Sequence, residues 1–70
     1  MAEQQSRRLL RLPDVKHQVG LGRSAIYLKI KSGEFPSPIS LSKNGRAVAW
    51  DSHAIEAWIE SRINAAGSAA

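Results

Sequence analysis

Seventy residues with ten Lys and Arg against six Asp and Glu, a formal charge of +4 and no cysteine describe one small basic domain. The missing cysteine excludes a disulfide framework and a thiolate zinc site, and no apolar run exceeds the length of Ala47–Trp50, which excludes a membrane span or a signal-peptide core. A chain this short has little material for a water-shielded pocket, so an enzyme is not expected.

The charge is uneven along the chain. Residues 1–31 carry seven basic side chains (Arg7, Arg8, Arg11, Lys16, Arg23, Lys29, Lys31) against Glu3 and Asp14, whereas residues 51–70 carry only Arg62 against Asp51, Glu56 and Glu60. A basic first half before an acidic end points to a polyanionic partner, with nucleic acid ahead of anionic membrane. Polar Met1–Ser6 and the Ala, Gly and Ser of the last residues read as loose ends. The expected organisation is therefore a flexible arm over 1–7, one domain over 8–63 and a disordered tail over 64–70.

A short extended segment is expected around Arg8–Arg11. The first helix should begin at Leu12-Pro13-Asp14, because proline fits the first turn and Asp14 sits at the positive end of the dipole. Leu12, Val15 and Val19 form its apolar stripe, and Gly20 can take the left-handed position that stops it. A second helix should run from Arg23 to Ser32, with Gly22 as a weak N-cap, Gly33 as its stop, and Ile26 and Ile30 in the core. Arg23, Tyr27 and Lys31 then form a basic and aromatic row at i, i+4, i+8. Two short helices joined by a glycine-containing turn match the helix-turn-helix plan.

Phe35-Pro36-Ser37-Pro38 forces an extended path. Asn44-Gly45 then predicts a hairpin with those two residues at the turn. That register sets Leu41 opposite Val48 and Ile39 opposite Trp50, all four on one buried side, and Lys43 opposite Arg46. A last helix should start at Asp51 as N-cap and end near Asn64, with Ile55, Trp58, Ile59 and Ile63 inward and Ser52, His53, Glu56, Glu60 and Ser61 outward. Trp50 and Trp58 are expected in the core rather than as base-stacking platforms.

Two motifs fail on context. Gly20-Leu21-Gly22-Arg23-Ser24-Ala25 satisfies the dinucleotide fingerprint formally, yet it follows a helix and no acidic residue closes a βαβ unit. Asp51-Ser52-His53 holds the residue types of a hydrolytic triad, but neighbours on a helix start diverge, so capping is the expected role. His53 and Glu56 lack a third ligand, and His17 and His53 are expected in solvent. No metal, cofactor or catalytic residue is expected.

The segments Leu10-Arg11-Leu12-Pro13-Asp14-Val15, Gly20 to Tyr27, Gly33-Glu34-Phe35-Pro36, Arg46 to Trp50 and Ala57-Trp58-Ile59 occur in an order and spacing that resembles the AlpA family of phage and prophage transcriptional regulators. The resemblance covers residues 8–63. It implies a mostly α fold with a small β-hairpin, a winged helix-turn-helix akin to excisionases and MerR-type domains, acting in the bacterial cytoplasm at the nucleoid. It further implies that double-stranded DNA is the partner, bound with a recognition helix in the major groove and the hairpin wing on the backbone, by one chain, a dimer or a cooperative array.

The residues expected at DNA are Arg23, Ser24, Tyr27, Leu28 and Lys31 on the second helix and Lys43, Asn44 and Arg46 on the wing. Arg7, Arg8, Arg11 and Lys16 are candidates for added backbone contacts. Family members commonly carry Ser where this chain has Gly22 and Arg where it has Leu28. Lys29, Lys31 or a contact of Leu28 with a thymine methyl are the alternatives for that base-reading position. Two other functions share the sequence features: an excisionase that bends attachment-site DNA, and a protein-interaction module of antirepressor or antitoxin type.

Overall fold

The computed structural model describes residues 7–69. Its elements run in the order β1 (Leu9–Leu10), α1 (Leu12–Val19), α2 (Arg23–Lys31), β2 (Ile39–Ser40), β3 (Val48–Asp51) and α3 (Ser52–Ala69). Three helices with a small antiparallel sheet ordered β1-β3-β2 make the protein mostly α with a hairpin, an arrangement compatible with a winged helix-turn-helix.

The first two helices form as their residues dictate. Pro13 occupies the first turn of α1, Asp14 lies at the positive end of its dipole, and Gly20 closes it in the left-handed region at φ 73°. Gly22, extended, opens α2, and Gly33 at φ 83° follows its end. Val15 and Ile26 are fully buried, so the two helices meet through the positions that their apolar spacing marks.

The extended segment predicted around Arg8–Arg11 becomes a strand. Leu10 pairs with Trp50 and Leu9 with Asp51, which makes β3 the central strand. Leu10 and Trp50 therefore share a sheet face, and both are buried with Val15, Ile26, Phe35 and Ile55. The Trp50 indole N–H donates to the Pro36 carbonyl at 3.0 Å, so its polar atom is satisfied inside the core. Truncating a core tryptophan costs about 3–5 kcal/mol. That is comparable with the whole stability of a domain this size, at roughly 0.05–0.15 kcal/mol per residue.

The hairpin departs from the expected register by one residue. Ile39 pairs with Ala49 and Ser40 with Val48, and the Leu41 N–H donates to the Ala47 carbonyl at 2.7 Å. A two-residue turn at Asn44-Gly45 would need positive φ at both positions, but among the described residues only glycines have it, Gly45 at 72°. The turn instead spans Ser42–Gly45, closed by the Gly45 N–H on the Ser42 carbonyl at 3.1 Å. Asn44 supports it through its side chain, whose Oδ1 accepts from the Ser42 hydroxyl at 2.7 Å and the Arg46 N–H at 3.1 Å. Ile39 and Leu41 consequently share a face with Ala49 rather than Trp50 and are 46% and 42% exposed, and Lys43 no longer stands opposite Arg46.

Three expectations for the last helix change as well. Asp51 caps it as expected, its Oδ1 accepting the His53 N–H at 3.0 Å, but Ser52 is buried instead of outward. The inward stripe thins along the helix: Ile55 is buried, Trp58 and Ile59 are half-buried, and Ile63 is 62% exposed because α3 has by then left the body of the domain. The helix also continues past Asn64, so residues 64–69 extend it rather than form a tail, in keeping with the high helix propensity of Ala65 and Ala66. Of the expected N-terminal arm, residues 1–6 lie outside the described residues.

Phe35, which the sequence reading used only as part of an extended link, is a core residue. It meets Trp58 edge to face with ring centroids 4.9 Å apart, while the Trp58 indole N–H donates to the Glu34 carbonyl at 2.7 Å. The segment after α2 is thereby fixed to α3, and β2 is delivered to the edge of the sheet.

Candidate nucleic-acid interface

The exposed side of α2 begins at its N-terminus. Gly22 has no side chain to cap the helix, the first backbone bond is the Ile26 N–H to the Gly22 carbonyl at 3.0 Å, and no acidic residue occupies the first turn. The amides of Arg23 and Ser24 thus point outward at the positive end of the helix dipole, where an anion is favoured.

Arg23, Ser24, Tyr27, Leu28 and Lys31 all lie on the exposed surface of α2, as expected. The Arg23 guanidinium carbon stands 5.8 Å from the centroid of the Tyr27 ring. Tyr27 is 38% exposed and stands edge to face with Trp50, with centroids 6.3 Å apart at 65°. Leu28 is 67% exposed, which leaves an apolar side chain on the outer surface of the helix.

Lys29 and Lys31 separate clearly. Lys29 is half-buried, its ammonium 3.5 Å from the Glu34 carboxylate, so its charge is engaged within the protein. Lys31 is exposed. Of these three, Leu28 and Lys31 are exposed, while Lys29 is half-buried with its ammonium beside Glu34.

Lys43, Asn44 and Arg46 are exposed at the hairpin tip. Asn44 has committed its carbonyl oxygen to the turn, which leaves its NH₂ group as the outward donor. Arg8, Arg11 and Lys16 are exposed along β1 and α1.

Arg7 stands apart from these cations. Its Nε donates to Asp51 Oδ1 at 3.1 Å and its Nη2 to Oδ2 at 2.6 Å, a two-point carboxylate pair. Arg7's hydrogen bonds, with the His53 N–H second, pull the Asp51 carboxyl down to about 2, and Asp51 in turn raises Arg7. Next to it the Arg8 N–H donates to the buried Ser52 hydroxyl at 2.8 Å, and the Ser52 N–H returns a bond to the Arg8 carbonyl at 2.8 Å. Arg7 is therefore anchored to the start of α3, and the Asp51-Ser52 pair holds the N-terminal segment as well as capping a helix. Sequence reasoning saw only the cap; the residue types that suit capping also suit clasping a strand, and nothing local tells the two apart.

Among the described residues no cluster of three His, Cys, Asp or Glu side chains could hold a metal ion, and no helix is long and apolar enough to cross a membrane. Residues 8–63, nearly the whole described chain, match the family model described as prophage CP4-57 regulatory protein (AlpA). The chain belongs to the AlpA family. The resemblance drawn from its sequence segments is borne out over the same residues. A phage protein is also similar: over 56 residues, 80% of this chain, the sequence is 48% identical to uncharacterized protein ORF88 of Enterobacteria phage P4. The match spans 61% of that relative's length. No solved structure matches the chain.

The matched segment begins at Arg8, whose amide meets Ser52, and ends at Ile63, where α3 has left the core. The AlpA match thus takes in the whole packed unit, the sheet with both of its edges, and every exposed cation of α2 and the hairpin tip.

Proposed function

We propose that this AlpA-family protein is a sequence-specific transcriptional regulator that binds double-stranded DNA, with α2 in the major groove and the β2–β3 hairpin tip on the flanking backbone. One observation carries the reading. From Arg23 to Lys31 the exposed surface of α2 presents Arg23, Ser24, Tyr27, Leu28 and Lys31, without an acidic side chain, from an uncapped helix N-terminus. A helix with its side chains is about 10–12 Å across, which suits a major groove about 12 Å wide.

The division of labour follows from chemistry. The α2 amides and Ser24 receive a phosphate at the groove edge, Arg23 and Lys31 donate to acceptors on base edges or phosphates, and Leu28 offers an apolar contact to a thymine methyl. Lys43, Arg46 and the Asn44 NH₂ group meet the backbone beside the groove. Arg8, Arg11 and Lys16 extend that neutralisation, while Arg7 serves the protein through Asp51.

The test is selection from a pool of random duplexes, followed by fluorescence anisotropy of the selected site across a salt series. An enriched motif is expected, with log K falling against log[salt] at a slope of about −4 to −6, as roughly five to seven phosphate contacts require. No enriched motif, or an affinity indifferent to salt, overturns the proposal.

A further inference from the structure

Among the described residues, three basic side chains have a partner within the chain, and they are held in two different ways. Arg7 is fixed by the Asp51 carboxylate and Lys29 by the Glu34 carboxylate. In both cases the charge is spent on the carboxylate that does the holding, and for Arg7 two hydrogen-bond donors as well. Arg23 is held by the face of Tyr27, its guanidinium carbon 5.8 Å from the ring centroid, and among the described residues no carboxylate pairs with it. A ring face attracts the cation through its quadrupole and accepts no conventional hydrogen bond. The fork of guanidinium N–H donors is left uncommitted.

The ring that holds Arg23 is itself fixed. Arg23 and Tyr27 are four residues apart on α2 and therefore neighbours on one helix face. Tyr27 has two side-chain torsions, and its ring packs edge to face with Trp50, a fully buried indole whose N–H is bonded to the Pro36 carbonyl. A continuous path of rings runs from the middle of the sheet, through Trp50 and Tyr27, to the first residue of α2. An unsupported arginine would lose its rotamer freedom on being ordered. One already lying on a fixed ring loses less.

We infer that Tyr27 is a positioning residue, which pre-orients Arg23 over its ring so that the free guanidinium fork reads a guanine by paired bonds to O6 and N7. The inference rests on the DNA-binding reading above and deepens it: of the α2 residues, Arg23 specifies a base, and Tyr27 acts through Arg23. The Tyr27 hydroxyl has no necessary part in this, since the ring face and the ring edge are the surfaces used.

The experiment compares Tyr27→Phe, Tyr27→Leu, Arg23→Ala and the double variant Tyr27→Leu/Arg23→Ala. Each is scored for affinity on the selected duplex and on duplexes with each guanine replaced singly. Arg23→Ala should abolish the preference for one guanine, a loss of about 5- to 150-fold in discrimination for a bidentate contact. Tyr27→Phe should retain that preference. Tyr27→Leu keeps apolar bulk against Trp50 but has no ring face, and should weaken binding about two- to fivefold and blunt the preference at that same guanine only. In the double variant the Tyr27→Leu effect should vanish.

A measurement on the free protein keeps the contact itself testable. The Arg23 δ protons should show an upfield ring-current shift that survives in Tyr27→Phe and disappears in Tyr27→Leu, with both variants melting cooperatively. If wild type binds its site but Tyr27→Leu leaves the guanine preference intact, or acts at a different base, the positioning role is overturned while the DNA-binding reading stands. If Arg23→Ala weakens all duplexes alike, Arg23 meets phosphate and the base-reading role is overturned. A wild-type protein that selects no duplex overturns both.

Discussion

Removing one oxygen atom should test how this sheet is closed. The β1–β3 register places Leu10 opposite Trp50 and Leu9 opposite Asp51, so the next pair in the ladder is Arg8 with Ser52. Ser52 is already the first residue of α3, and its backbone carbonyl turns into the helix. Its hydroxyl takes over the accepting position, receiving the Arg8 N–H at 2.8 Å, while its own N–H donates to the Arg8 carbonyl. At 2% exposure Ser52 is shut off from bulk solvent. Ser52→Ala adds no bulk and leaves the Arg8 N–H, itself partly buried, without a partner, at a cost of about 1–3 kcal/mol. In a domain of this size each kcal/mol moves the midpoint by roughly 4–8 °C, so Tm should fall by about 4–24 °C. Thermal and urea unfolding followed by circular dichroism read the loss, and hydrogen exchange at the Arg8 amide should accelerate more than at Ile26. Ser37→Ala, at an exposed loop position, is the control. A Ser52→Ala protein as stable as that control, with Arg8 exchange unchanged, would refute the ladder argument.

Three further outcomes follow from the geometry. The depressed Asp51 carboxyl contributes stability that is present above its ordinary value near 3.8 and lost as pH falls through its folded value of about 2, so wild type should lose stability across that window and Asp51→Asn should not, as acid titration of the circular dichroism signal will show. Ile39→Thr and Leu41→Thr should each change stability by less than about 0.5 kcal/mol, as surface substitutions do, whereas the register with Trp50 in place of Ala49 as the neighbour of Ile39 would make both costly. Lys43→Ala and Arg46→Ala should weaken selected and random duplexes by the same factor, each lowering the salt slope by about 1, and a change in the selected motif by either variant would contradict a backbone-only wing.

Where local signals agree, the fold is readable from residues alone. Pro13, Gly20 and Gly33 punctuate the helices as their backbone preferences require, and the apolar spacing of Val15 and Ile26 finds the core. The hairpin shows how such reading fails. Asn44-Gly45 is a correct sign of a turn, yet Asn44 lends its side chain instead of its backbone, and one residue of slip turns Ile39 and Leu41 outward. The pairing of β1 with β3 was not legible because its partners lie far apart in the chain and a two-residue strand has no period to detect. At the interface, the Arg23–Tyr27–Lys31 row was visible as spacing. The support of Tyr27 by Trp50 was not, since it depends on how α2 lies against the sheet.

The position of β1 also governs when the protein can fold at all. β1 is synthesised before both helices, but the strand it must join spans residues 48–51, and the hydroxyl that seals the join belongs to Ser52. A nascent chain halted before residue 48 has both helices of the α1–α2 pair but lacks Trp50, around which they pack, and leaves Leu10 without its partner. Folding on the ribosome must therefore wait until almost the entire domain has cleared the exit tunnel, and the slow element is the closure of one long loop rather than the formation of any helix. The residues of α2 are synthesised early, but the strand that completes the sheet they pack against comes only with residues 48–51.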